Sequence, residues 1–256
     1  MKHPFRITDA GRKNPVEYNA HNPKRVTHNE NFKPFYVPRY AFQDIIMARS
    51  IDAKCRKCRR AGEKLFLKGD RCLTPKCGFV RRSYVPGVHG KKGKRNLSEY
   101  GTQLALKQKI KRIYGVFEKQ FRKHFEEVKG KPGSTGDLLL SRLEMRLDNV
   151  VYRLGFASSR SQARQLVNHG LVSVNGKKNT IPSSAVKIGQ IISINSRKKE
   201  KNYFKNLAPV IKNKKDFPTW LSFDEQKLEG KIVSLPGKND TGINVDAQVI
   251  VEYYSR

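Results

Sequence analysis

Arg146-Leu147-Asp148-Asn149-Val150-Val151-Tyr152-Arg153-Leu154-Gly155-Phe156, followed by Ser159-Arg160-Ser161-Gln162-Ala163-Arg164-Gln165-Leu166-Val167 and then by Leu171-Val172-Ser173-Val174-Asn175-Gly176, is the stretch whose patterning decides the fold. Leu147, Val150, Val151 and Leu154 recur at helical spacing. Carried back through Leu143 and Leu139, the stripe predicts one helix from about Asp137 to Leu154, with Thr135 or Gly136 near its cap. Ser159 and Gln162 stand at capping-box spacing, so a short second helix buries Ala163, Leu166 and Val167 and ends at Gly170. Leu171–Val174 reads as a strand, Asn175-Gly176 as a tight hairpin turn, Lys177-Lys178 as the return strand and Ile191–Ile194 as another strand. Two small helices and a hairpin, basic at helix starts and at the turn, make a platform for structured RNA backbone.

On the polar side of the first helix, Arg142, Arg146, Asn149 and Arg153 fall on one face. Groups roughly one turn (about 5.4 Å) apart match successive phosphates of one strand. Glu144 and Asp148 leave a second reading open, in which the arginines form ion pairs on a solvated helix. Upstream, Tyr100, Leu104, Ile113, Phe117, Phe121, Phe125 and Val128 mark helix between Leu97 and Lys129, with Ser98 as cap and Gly115 as an interruption. The aromatic residues of that stretch are read as core.

The composition names the partner class. Among 256 residues, 53 Lys and Arg face 22 Asp and Glu, a formal net charge of +31. Self-repulsion on that scale disfavours a compact chain unless a polyanion shares the charge, and nucleic acid is the obvious one. No stretch approaches the roughly 18 apolar residues of a membrane span, so a membrane reading fails. Residues 47–97 are the most basic, with 16 Lys and Arg against 3 Asp and Glu. They include Arg59-Arg60, Arg81-Arg82 and Lys91-Lys92-Gly93-Lys94-Arg95. They also hold all four cysteines, Cys55-x2-Cys58 and Cys72-x4-Cys77, the spacing of a closed four-sulfur site. A structural zinc ion, an iron–sulfur cluster and free thiols are the three readings, and zinc suits the spacing best. Such an ion staples a segment too basic and too short to fold alone.

Residues 1–46 are Pro- and Asn-rich without helical periodicity and read as a basic extension, extended or disordered when free. Phe32, Phe35, Tyr36, Tyr40 and Phe42 interleave with Lys33 and Arg39, a pattern suited to RNA, to a partner protein or to a plain tail. Met47-Ala48-Arg49 also resembles a natural start.

The runs at 146–156, 159–167 and 174–176 closely resemble the S4-type RNA-binding domain. Pro86-Gly87-Val88-His89-Gly90, Leu97-Ser98-Glu99-Tyr100-Gly101, Ile113-Tyr114-Gly115, Pro218-Thr219-Trp220-Leu221 and Glu252-Tyr253-Tyr254-Ser255-Arg256 extend the likeness to the bacterial uS4 family of small-subunit ribosomal proteins over residues 47–256. In zinc-containing members of that family the cysteines stand at matching spacing. The resemblance implies binding to the 5′ domain of 16S-type rRNA early in assembly, nucleation of the subunit body, and a position near the channel through which mRNA enters. It implies uS5 and uS3 as neighbours, with uS5 contact affecting translational accuracy, and a cytoplasmic bacterial ribosome before an organellar one. The extension has no counterpart in the family pattern.

The expected fold is α+β: a mainly helical domain over 98–141 completed by 195–256, an S4-type RNA-binding domain over 142–194 with two short helices and a small antiparallel sheet, and a zinc-stapled basic segment over 47–97. The expected ligands of one Zn2+ are Cys55, Cys58, Cys72 and Cys77. The expected RNA contacts are Arg59, Arg60, Arg81, Arg82, His89, Lys91, Lys92, Lys94, Arg95, Lys107, Lys111, Arg112, Tyr114, Arg142, Arg146, Asn149, Arg153, Ser159, Arg160, Arg164, Gln165, Asn168, His169, Asn175 and Lys177. Enzymes also carry S4-type domains, and Arg146-Leu147-Asp148 mimics a pseudouridine-synthase tripeptide, yet here Leu147 packs inward on a helix and no second domain holds substrate. No phosphate loop, nucleophile triad or paired carboxylates suggest turnover or a small-molecule substrate. A DNA-binding finger would need a helix with His ligands after the cysteines, and none is present.

Overall fold

The computed structural model describes residues 50, 52–92, 96–212, 217–237, 239–242 and 246–255. The expectations for residues 1–46, the Met47 start, Lys94 and Arg95 lie outside the described residues. All that follows belongs to the unit Met47–Arg256.

The basic segment folds as helix α1 (Lys54–Ala61) and the single turn α2 (Gly78–Arg81). Between them the chain turns through Gly69, at φ 61°, where an added Cβ would lie 2.6 Å from the Ser158 carbonyl oxygen. The cysteine segment is thus seated tightly on the loop that precedes the second S4-type helix. Helix α3 (Glu99–Tyr114) starts where expected, with the Ser98 hydroxyl accepting from the Gly101 N–H. Gly115, at φ 65°, ends it. Helix α4 (Glu118–Glu126) resumes the apolar stripe. Phe121 and Phe125 are buried with Ile110, Leu139, Leu140 and Leu143, the core role read for them.

The helix expected over Asp137–Leu154 is two helices, α5 (Thr135–Glu144) and α6 (Leu147–Arg153), and the first is capped by Ser134. The break has a tertiary cause. Arg146 is extended and bridges Ala185, the Met145 carbonyl accepts from Val186, and the first N–H groups of α6 donate to Ser184 and Pro182. A returning segment therefore satisfies the backbone groups that a helix interruption would orphan. Leu143 and Leu147 stay apolar across the break, so periodicity alone reads straight through it.

Helix α7 (Arg160–Asn168) follows, capped by Ser159. The reciprocal half of the capping box lands one residue early, with Gln162 Oε1 accepting from Ser158. Strands β1 (Val172–Val174) and β2 (Lys177–Lys178) form the expected hairpin, with Asn175 and Gly176 both at positive φ as the tight turn requires. Helix α8 (Asn202–Lys212) separates β3 (Ile191–Ile194) from β4 (Leu221–Asp224) and β5 (Glu229–Ile232). The antiparallel sheet runs β2-β1-β3-β5-β4. The last described helix is α9 (Gln248–Ser255).

Residues 195–256, assigned above to the helical domain, are divided between two cores. Phe204, Ile211, Trp220, Leu221 and Ile232 join Leu147, Val150, Val151, Leu154 and Ile192 under the sheet, and Ala247 and Ile250 join the helical cluster. Each fully buried Leu or Ile in these clusters contributes about 1.5–3 kcal/mol relative to exposure. The fit is tight at Gly230 of β5, where a Cβ would overlap both methyl carbons of Leu154. Gly230→Ala is therefore expected to lower stability by about 1–3 kcal/mol through overpacking, read as a lower urea midpoint at unchanged slope.

Candidate nucleic-acid interface

The sequence places Glu144 at the end of α5 and Asp148 in the first turn of α6, and the break between them turns both carboxylates inward. Glu144 is fully buried. Its carboxylate accepts from the Tyr114 hydroxyl at 2.6 Å, Asn149 Nδ2 at 2.6 Å, and Arg153 Nε and Nη2 at 2.9 and 2.7 Å. Arg160 approaches to 3.8 Å, donates to Asn149 Oδ1, and lays its guanidinium over the rings of Tyr114 and Tyr152. Burial by itself would raise the Glu144 pKa. The hydrogen bonds and charge of Arg153, the charge of Arg160 and the Tyr114 hydroxyl outweigh it and hold the carboxyl below its ordinary value. The same burial, with Glu144 beside it, pushes the Tyr114 hydroxyl far up. Next to this hub, Arg146 grips Asp148 through two hydrogen bonds of 3.1 and 2.9 Å, and Arg164 Nη1 lies 3.7 Å from the same carboxylate.

The ladder of Arg142, Arg146, Asn149 and Arg153 is therefore not formed. Arg146 and Asn149 are buried, Arg153 is turned onto Glu144, and Arg142, on the far side of the break, is held by Glu127 and by His124 Nδ1. The ion-pair reading is the one the structure follows, with the pairs enclosed rather than solvated. Lys107 and Lys111 likewise turn onto Glu118 at 2.7 and 2.9 Å, and Tyr254 of α9 donates to the same carboxylate. Burial works against ionisation there too, but the three donors bring Glu118 to about 2. Burial, together with the charges of Arg146, Arg142 and Lys123, brings His124 down to about 4.

The remaining expected contacts divide by exposure. Arg60, Arg81, Arg82, His89, Lys91 and Lys92 are exposed in the cysteine segment, whereas Arg59 is half-buried with its guanidinium over the Tyr84 ring. Gln165, Asn168 and His169 are exposed along the end of α7, and Asn175, Lys177 and the adjacent Lys178 are exposed at the hairpin. Ser159 is buried in its cap. Arg112, Arg160 and Arg164 line a cleft together with Lys54, whose ammonium donates to Ser161. Lys54 escaped the sequence reading because nothing in its spacing links it to α7.

None of the four cysteines forms a disulfide, and Cys58, Cys72 and Cys77 are buried. Burial raises the Cys58 thiol, and the charges of Cys72, Cys55 and Cys77 raise it further. The Lys68 N–H donates to Cys72 Sγ. Among the described residues, no group of three or more His, Cys, Asp or Glu side chains is disposed to hold a metal ion. As a donor set, four soft sulfurs among lysines and arginines suit zinc, because the cations offset the charge of a four-thiolate complex.

Replacing Glu144 by Gln removes the buried charge that Arg153 and Arg160 face, and a loss of about 3–5 kcal/mol in urea unfolding is expected. The pH dependence follows from the lowered groups. Where a folded-state pKa is depressed, the unfolded chain binds the extra proton, so stability is full above the unfolded value and lost as pH falls. The unfolding midpoint should hold steady between about pH 7 and 8, decline as His124 is protonated between 6.5 and about 4, and decline further as Glu118 is protonated between 4.5 and about 2. His124→Gln should flatten only the upper part of the decline.

Residues 49–144 match the family model described as ribosomal protein S4/S9 N-terminal domain, and residues 145–192 match the S4 domain. The boundary between the two matches coincides with the break between α5 and α6. Small ribosomal subunit protein uS4 of Syntrophomonas wolfei is 52% identical over 210 residues, 82% of this chain and 100% of that protein. The uS4A protein of Alkaliphilus oremlandii is 53% identical, and uS4 of Clostridioides difficile 50%, each over the same shares. Identity of that extent along the whole length of these relatives, on a chain built around enclosed arginine–carboxylate pairs and exposed cations, means that it belongs to the uS4 family of small ribosomal subunit proteins, which are structural proteins and not enzymes.

Proposed function

We propose that this chain is a structural, rRNA-binding constituent of the small ribosomal subunit. One observation carries the reading beyond kinship. The buried carboxylates Glu144 and Asp148 take up arginines of the interior, while Arg60, Arg81, Arg82, Lys91, Lys92, Lys177 and Lys178 are left exposed. An exposed cationic surface of this kind draws the phosphates of a polyanion. The ligand is 16S-type rRNA of the 5′ domain, bound early in assembly so as to nucleate the subunit body. The places beside the incoming mRNA and beside uS5 and uS3, the effect on accuracy, and the cytoplasmic ribosome of a bacterium are supported by the family resemblance. No described helix is long and apolar enough to cross a membrane.

We further infer that Cys55, Cys58, Cys72 and Cys77 take one zinc ion, which would tie α1 to the segment before α2. The support is the spacing of four cysteines that form no disulfide, three of them buried, in a segment with few large apolar side chains to hold it. Cys55→Ser is expected to abolish stoichiometric zinc, measured by elemental analysis of the purified protein. It should also open residues 54–92 to proteolysis while leaving 98–194 resistant.

The rRNA reading is tested by footprinting and filter binding of the purified protein on the 5′ domain of 16S rRNA, with and without residues 1–46. Six to ten neutralised phosphates predict a roughly 10³- to 10⁵-fold loss of affinity between about 50 and 200 mM salt. Equal affinity for random RNA of the same length would overturn it.

A further inference from the structure

Between the start of α7, the end of α3 and the segment that follows α1 lies a cleft of about 170 Å³. Its lining is of two kinds. Leu67 and Ile113 supply apolar wall, while Lys54, Arg112, Arg160 and Arg164 supply positive charge, with Asp148 the sole carboxylate among the described lining residues. Phe66 also lines it, in a conformation that demands a reason. Its backbone lies at φ 49°, the left-handed region that bulky side chains avoid, and its side chain is left 46% exposed. A large aromatic residue held against both steric preference and the hydrophobic effect, at the mouth of a charged cleft, is the kind of outlier that accompanies a ligand site.

Size and chemistry narrow the ligand. A cavity of about 150 Å³ holds one benzene-sized ring, and whole drug-sized ligands need about 300 Å³ or more. The cleft matches a single six-membered ring, and its charge requires that ring to be polar and attached to phosphate. Resting on the RNA-binding reading above, we propose that the cleft receives one unstacked pyrimidine of the bound RNA, cytosine in preference to uracil. Single-stranded bases are commonly read in this way, splayed onto an aromatic face and hydrogen-bonded along their edges. Phe66 is the stacking face. Arg146 uses one lone pair on each Asp148 oxygen, and a carboxylate offers about four, so acceptor capacity remains for an exocyclic amino group. Cytosine N4 is such a donor, whereas uracil would set its O4 against the carboxylate. Arg164, beside the same carboxylate, brings N–H groups to the ring acceptors, and Lys54 and Arg112 meet the flanking phosphates.

The test uses the full chain and no rRNA. Wild type and Phe66→Gly are titrated calorimetrically with 5′-CMP, 5′-UMP and inorganic phosphate. Glycine is at ease at positive φ, so the variant keeps the backbone and removes only the ring. CMP is expected to bind about fivefold or more tighter than UMP, and Phe66→Gly to weaken CMP about tenfold while leaving phosphate unchanged. Equal binding of all three, no binding of any, or an unaltered CMP affinity in Phe66→Gly overturns the assignment. Selective footprinting on rRNA alongside any of those results leaves the RNA-binding reading standing, and CMP selectivity without rRNA preference overturns that reading instead.

Discussion

A carboxylate with no access to water governs this structure. Glu144 draws Tyr114 from α3, Asn149 and Arg153 from α6, and the charge of Arg160 from α7 onto one point. In a low-dielectric interior such a group is tolerated only when fully paired, so the four elements have little freedom to move apart without exposing an uncompensated charge. The apolar clusters on either side supply most of the driving force for collapse. The polar hub supplies angle and register, which greasy contacts specify poorly.

The same logic recurs at the edges of the module. Glu118 gathers Lys107, Lys111 and Tyr254, so α3, α4 and α9 share one counter-ion, and the Lys107 ammonium lies 4.2 Å from the Tyr253 ring centroid. Asp148 joins α6 to α7 through Arg146 and Arg164. Among the described acidic residues Glu144 and Asp148 are buried, and both act as internal anchors. The surface of the cysteine segment and of the hairpin is left with exposed cations.

Much of this was legible in the linear chain. The hairpin could be read because Asn175-Gly176 is almost a complete specification of its turn, and α7 because Ser159 and Gln162 announce its start. The core role of Phe121 and Phe125 followed from their four-residue step. The helix break was illegible, because it is dictated by residues 182–186, which pair with the backbone at 145–148 and leave no mark on the local period. The arginine ladder failed for the same reason: a wheel drawn through an unbroken helix puts Arg142 and Arg146 on one face, whereas the break points them at different partners. Strands β4 and β5 went unread because Ser222, Asp224, Glu229, Gly230 and Lys231 dilute any alternation. The cleft was invisible in one dimension, since Lys54, Phe66, Arg112 and Arg164 are distant in the chain and meet only on folding.

The pairing of Arg146 with Ala185 bears on how the protein reaches its native state. The elbow between α5 and α6 is not encoded where it occurs. It is installed by a strand-like return that closes a loop of nearly forty residues, and loop closure of that length must precede any reward from the contacts it creates. Before closure, the local preference at 137–154 is for one straight rod with its arginines in a row. The inward turn of Arg146 thus depends on residues that lie far from it in the sequence.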